Sequence, residues 1–183
     1  MYSIDRENTT ITEVKRSKFI TKLVPIDEYE GLQDKLKIQH PKANHVVYAL
    51  RYLNEYEQIV ENFSDDHEPK GSAGMPALNV VRGEELINCA VLIVRYFGGI
   101  KLGTGGMARA YALAVKNVIA EATLTEYERE VSHSFSTSYS EVDRTLYRLK
   151  KLGLTQYERD FGVDEVIWKI SGSEEKIKEF KEM

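Results

Sequence analysis

The sequence predicts an α+β protein of two domains, a larger mixed one over residues 1–127 and a smaller one over 128–183. Three observations carry that reading. The stretch Ile87–Phe97 is a nearly continuous apolar run, the composition of a strand buried on both faces. It passes through a loop with five glycines in nine residues, Gly98 to Gly106, into an alanine-rich helical pattern. Beyond Thr125 the order becomes strand, helix, strand, strand, helix, separated from what precedes by the charged joint Glu126–Glu130. At 183 residues the chain has room for one large domain or two small ones.

Taken in order, Thr9–Val14 and Phe19–Ile26 read as β-rich runs joined by the basic step Lys15, Arg16, Ser17, Lys18. Asp27 is a good N-cap for a helix to about Gln39, with Tyr29, Leu32 and Leu36 on one face and Pro41 beyond its end. Asn44–Tyr52 alternates as a strand, and a turn at Asn54-Glu55 returns it through Gln58–Phe63 as a hairpin. Ser64–Pro76 is a polar loop dense in turn formers, and Ala77, Leu78, Val80, Val81 and Leu86 then mark a short helix whose start is placed at Ser72 or Ala73. Thr104 is placed to cap a helix to about Ala122, whose face Met107, Tyr111, Ala114, Val118 packs inward while its alanines keep it slim.

In the second domain, Val131–Ser140 alternates Val131, His133, Phe135, Thr137 and Tyr139 with serines and Thr, a half-buried strand. A helix over Glu141–Leu152 ends at Gly153, strands Leu154–Phe161 and Val163–Ile170 follow, and Ser171 or Ser173 caps a last helix. This βαββα order is that of a ferredoxin-like unit lacking its last strand, and the chain stops where that strand is expected.

Composition narrows the function classes. The formal net charge is −4, shared evenly: residues 1–127 hold 15 basic and 17 acidic side chains, residues 128–183 hold 10 and 12. Contact with a polyanion therefore has to use a local basic patch. The single cysteine, Cys89, precludes an internal disulfide or a cysteine-based zinc site, and its apolar neighbours make it a core residue. No run approaches the roughly 20 apolar residues of a membrane span, and the N-terminus lacks a signal-peptide pattern. The expectation is a cytoplasmic protein with no membrane partner.

Strand, glycine-rich loop and helix start, in that order, aim backbone N–H groups at an anion. Around it, Arg95, Gly98, Gly99, Lys101, Gly103, Thr104, Gly105 and Arg109 form a candidate phosphate or nucleic-acid surface. The loop lacks the Gly-Lys-Ser/Thr ending of a P-loop, and packing of the slim helix would equally demand glycine. Asp65, Asp66 and Glu68 offer hard oxygen ligands for Mg²⁺ or a carboxylate pair, though SDDHEP is also the composition of a solvated turn. Tyr48, Tyr52, Tyr96 and Phe97 could stack bases or serve as core and rim aromatics. Arg16, Lys18 and Lys22 extend a basic strip or line a solvated edge. His45 reads as a structural histidine. There is no Gly-x-Ser-x-Gly elbow and no Cys/His nucleophile pair.

Three stretches together, RSKFI from Arg16, DDHEPKGSAGMP from Asp65 and VRYFGGIKLGTGGMARAY from Val94, resemble the IMPACT family and its bacterial YigZ-like branch. By motif the resemblance covers about residues 10–125, and by pattern the smaller C-terminal domain. Two positions depart from the family pattern: His67 stands where glycine is usual, and Ser72 where threonine is usual. If the turn needs a positive φ at residue 67, a side chain there is strained. The resemblance implies an N-terminal domain like elongation factor G domain IV and the GHMP kinases, of ribosomal-protein-like βα fold. It also implies a C-terminal domain like domain V of that factor. Eukaryotic members restrain the general-control kinase by competing for its activator protein. Three expectations follow: a translation-associated regulator or RNA- and ribosome-binding protein using the glycine loop; a phosphate-handling, metal-dependent enzyme; or a protein-interaction adaptor. The first is preferred, with binding favoured over catalysis. No cofactor is required for it, and Mg²⁺ is the one ion the acidic loop invites.

Overall fold

A computed structural model describes residues 1–183, which fall into two compact units, Met1–Tyr127 and Glu128–Met183. The first is built on an antiparallel five-stranded sheet. Its strands are β2 (Asn8–Val14), β3 (Ser17–Pro25), β4 (His45–Leu53), β5 (Ile59–Ser64) and β6 (Cys89–Tyr96), in the order β2-β3-β6-β4-β5. The apolar run is thus the central strand, and its alternation serves two cores. Cys89, Val91 and Ile93 face helices α2 (Gly74–Gly83) and α3 (Thr104–Glu121), while Ala90, Leu92 and Val94 face α1 (Leu32–Gln39). Burial on both faces is why the strand reads as a continuous apolar stretch rather than an alternating one. The alanines of α3 keep it close to the sheet, with Ala110 and Ala114 buried in the same cluster as Tyr111 and Val118.

Several boundaries differ from expectation, each for a local reason. The helix expected from Asp27 is broken: Ile26–Glu28 is a single 3-10 turn, and α1 begins only after Gly31 at φ 71°. Helix α3 is preceded by Gly103 at φ 71° and has no side-chain cap, so Thr104 is its first residue and not its cap. The helix after the acidic loop starts at Gly74, within two residues of the expected Ser72 or Ala73, but ends at Gly83, short of Leu86. A two-residue ladder pairs β1 (Tyr2–Ser3) with β7 (Thr125–Glu126), too short to leave any periodicity in the sequence.

The second unit comprises β8 (Glu130–Thr137), α4 (Val142–Lys151), β9 (Gln156–Phe161), β10 (Val166–Ser173) and α5 (Glu174–Glu182). Its antiparallel sheet has the order β8-β10-β9. Trp168, Ile170 and Val166 of β10 pack with Leu149 of α4 and with Ile177 and Phe180 of α5. On β8 the alternation is realised as written: Val131, His133, Phe135 and Thr137 are half-buried and the intervening serines exposed. The Trp168 indole N–H donates to Thr137 Oγ1 at 2.9 Å. No helix in the chain is long and apolar enough to cross a membrane.

Candidate anion-binding cleft

Arg95 is the last inward residue of β6 on the α2/α3 face, so the apolar core delivers a guanidinium to the sheet's end, 5 % exposed. It is compensated there. Its Nη1 donates to Glu68 Oε1, and the Tyr111 hydroxyl of α3 donates to the same oxygen at 2.8 Å. Burial and the neighbouring carboxylate push the Tyr111 phenol far above its ordinary range, so it remains a donor. Around the guanidinium, Phe19 and Phe97 lie with ring centroids 5.7 and 5.9 Å from Cζ.

At this cluster opens a cleft of about 390 Å³ in which Arg95, Glu68, Lys101, Thr104 and Phe97 all take part, together with Asn44 and with His45, the cross-strand partner of Arg95 on β4. The Asn44 side-chain oxygen accepts the Phe97 N–H at 2.8 Å and ties the loop to the start of β4. His45 Nδ1 lies 2.7 Å from the Asp66 carbonyl, and its Nε2 lies 3.6 Å from Glu68 Oε2.

The glycines divide by role. A Cβ on Gly98 would fall inside the Arg16 carbonyl group, so that glycine is demanded by close passage of the β2–β3 turn. Gly99 (φ 84°) and Gly103 (φ 71°) serve the path of the loop. Gly105 has neither constraint: its φ is ordinary and a Cβ would meet only the Arg109 guanidinium, at 3.6 Å. The first backbone bond into α3 runs from Met107 N–H to Gly103 O, so the N–H groups of Thr104, Gly105 and Gly106 have no intrahelical partner. The partial positive charge of this 18-residue helix is thereby left at the cleft mouth.

The predicted anion surface is partly assembled and partly divided. Arg95, Lys101, Gly103 and Thr104 share the cleft. Arg109 does not: it lines a second recess with Lys15, Val14, Leu102 and Leu113 on the other side of the loop. Leu102 belongs to both recesses, so the two basic groups flank one loop.

The acidic loop is rearranged more thoroughly. Asp65 accepts N–H groups from Gly71 (2.7 Å), Ala73 (3.1 Å) and Gly74 (2.8 Å), closing the loop onto the start of α2. Asp66 accepts from Lys37 Nζ and from the Val46 N–H, both at 2.7 Å. Burial pulls the Asp66 pKa up, but these two donors outweigh it and leave it below the ordinary value. Glu68 belongs to Arg95 and Tyr111. The three carboxylates therefore turn to three different sets of donors, and no group of three His, Cys, Asp or Glu side chains is placed to hold a metal ion. As a Mg²⁺ site the loop does not fit.

Tyr48 and Tyr96 fall on the α1 face, where Tyr48 packs against Tyr29 and the Tyr96 hydroxyl meets His40 Nδ1 at 2.8 Å; Tyr52 packs on the same core. Phe97 alone of the four aromatics lines the cleft, 46 % exposed. Lys22 is paired with Glu7 and leaves the basic strip, whereas Arg16 and Lys18 remain exposed and without carboxylate partners. Tyr111 was legible only as a packing residue, because nothing local marks a buried tyrosine that hydrogen-bonds 43 positions away.

Residues 15–119 match the model of the Impact N-terminal domain family. An IMPACT family member of Haemophilus influenzae is 38 % identical over 143 residues, 75 % of this chain and 61 % of that protein. IMPACT family member YigZ of Escherichia coli is 36 % identical over 130 residues, 65 % of this chain and 63 % of that protein. The chain thus spans less than two thirds of the length of these relatives. A crystal structure described as that of a hypothetical protein superposes with a TM-score of 0.68 at 26 % identity, over 98 % of this chain and 88 % of that one. With the family model covering more than half of its residues, the chain belongs to the IMPACT family.

Proposed function

We propose that this chain is a translation-associated RNA-binding protein of the cytoplasm, contacting phosphates with the glycine-loop end of its first unit. The observation that carries this is a group of cations without carboxylate partners gathered at one end of a protein whose net charge is −4. Lys15 and Arg109 line one recess, and Lys101 lines the cleft across Leu102. Arg16 lies against Gly98, and Lys18 pairs in register with Tyr96. Glu13, opposite Lys18 on β2, is the carboxylate nearest in register. Phe97 and Ile100 stand exposed between the cations, the combination of charge and ring that single-stranded RNA uses. A metal-dependent phosphate enzyme has less support, since the acids it needs are committed to amides, Lys37 and Arg95.

The test is binding of single-stranded RNA, and co-sedimentation with ribosomes, across a salt series. Five phosphate contacts give a log–log salt slope of about −3.5, and Lys101→Glu or Arg109→Glu each flatten it by about 0.7. Affinity indifferent to salt, or unchanged in both folded variants, refutes the proposal. Capture of a protein partner with no RNA dependence would select the adaptor role instead.

A further inference from the structure

The cleft holds more than a charge. Arg95 lines it with a side chain only 6 % exposed, and its Nε is buried without a hydrogen-bond partner. That N–H is an unspent donor sealed from solvent, and no ligand group is assigned to it. Beside it, His45, the cross-strand partner of Arg95, presents a deficit of its own, that of a donor. The Asp66 carbonyl can only accept, so the His45 Nδ1 beside it carries hydrogen. In the neutral ring Nε2 is then an acceptor facing a second acceptor, Glu68 Oε2, at 3.6 Å. A donor belongs between them, either a ring proton or a ligand hydroxyl or amino group. At the mouth stand Lys101, without a carboxylate partner, and the uncapped N–H groups of α3, suited to a dianion. Phe97 supplies a half-exposed ring beside them.

We propose that this cleft binds one phosphorylated nucleotide unit. Its phosphate lies at Lys101 and Thr104, a hydroxyl or amino group donates to the Glu68–His45 pair, and its base lies on Phe97. A volume of about 390 Å³ suits a ligand of that size. The unit is either a free mononucleotide or the phosphorylated end of an RNA; the second source rests on the RNA-binding reading above.

The test is an amide-resolved NMR titration of the full chain with each of the four ribonucleoside monophosphates, with inorganic phosphate, and with a short RNA with and without a 5′-phosphate. Saturable shifts are expected at His45, Phe97, Lys101 and Thr104, and Phe97→Ala is expected to weaken nucleotide binding about tenfold or more. Lys15→Glu lies outside the cleft and is expected to weaken RNA binding while leaving mononucleotide affinity unchanged. Tighter binding of the phosphorylated RNA than of its unphosphorylated twin supports the proposal with RNA as source; binding of mononucleotides with no such preference supports it with a free nucleotide as source. Absence of shifts up to about 10 mM nucleotide overturns it even if RNA still binds, because a Kd above that concentration is no specific site. Equal binding of inorganic phosphate, indifferent to Phe97→Ala, overturns it too, leaving only an anion site.

Discussion

Removing the Glu68 carboxylate is the sharpest test of what holds the cleft together. Glu68→Ala leaves the Arg95 guanidinium buried without its counter-charge and the Tyr111 hydroxyl without its acceptor. Breaking a buried pair from one side costs about 3–5 kcal/mol, because the remaining charge stays desolvated. Set against a total stability of about 5–15 kcal/mol, that leaves the first unit marginal. Replacing both partners by apolar residues of similar volume, Glu68→Leu with Arg95→Met, should recover most of the loss, since such swaps are often neutral. Tyr111→Phe removes one charge-assisted hydrogen bond and should cost about 1.5–3 kcal/mol. The assay is urea unfolding followed by backbone amide NMR. The chain's single tryptophan, Trp168, lies in the second unit and reports that unit separately by fluorescence. A loss below about 1 kcal/mol for Glu68→Ala, or a double variant weaker than the single one, would refute the view that the pair is a mutually compensated buried unit.

Other predictions rest on single features. His67 sits at φ 71°, so His67→Gly should stabilise the first unit by about 0.5–1 kcal/mol after the added unfolded-state entropy of glycine, while His67→Ala should gain nothing; thermal unfolding decides. Asp66 has a depressed folded-state pKa, so its stabilisation is present above its unfolded value of about 3.9 and is lost as pH falls through the folded one; the stability gap between the native chain and Asp66→Asn should therefore shrink progressively as pH falls below about 5 in urea titrations. Burial pushes the Cys89 thiol up to about 12, so a thiol reagent at neutral pH should react only through the opened first unit, and a labelling rate that does not rise as urea destabilises that unit would contradict this.

The parts of the fold that were legible are those whose cause is local. The two-sided burial of Cys89–Tyr96 shows in its composition, the slimness of α3 in its alanines, and the half-burial of β8 in its alternation with serine. What escaped depends on distant partners or on one dihedral. Gly31 breaks the expected helix through a positive φ that periodicity does not register. In the acidic loop Asp65 bonds amides 6 to 9 positions away, as a solvated turn would, but the donors to Asp66 and Glu68 come from α1, β4, β6 and α3, up to 43 positions away, and only the folded chain reveals that those two acids are committed. The positive φ at His67 came into view through the family resemblance, which has glycine at that turn, and not through any local pattern of the chain.

The glycine loop is where packing and binding compete as explanations, and its residues separate them. Gly98 is accounted for by the passage of Arg16, and Gly99 and Gly103 by the turn, so their presence says nothing about a ligand. Gly105 is different. In the first turn of α3 an alanine there has room and should favour the helix by about 0.5–1 kcal/mol. A position that gives up that stability while meeting no neighbour closer than the end of a flexible arginine is the one place in the loop where bare backbone serves approach from outside. If Gly105→Ala raises the melting temperature and leaves RNA and nucleotide affinity intact, the glycine has no role in binding and the loop is a structural turn beside a cationic cleft. If it raises the melting temperature and weakens binding, the same methyl group has shown that the chain forgoes stability there to keep the N-terminus of α3 open.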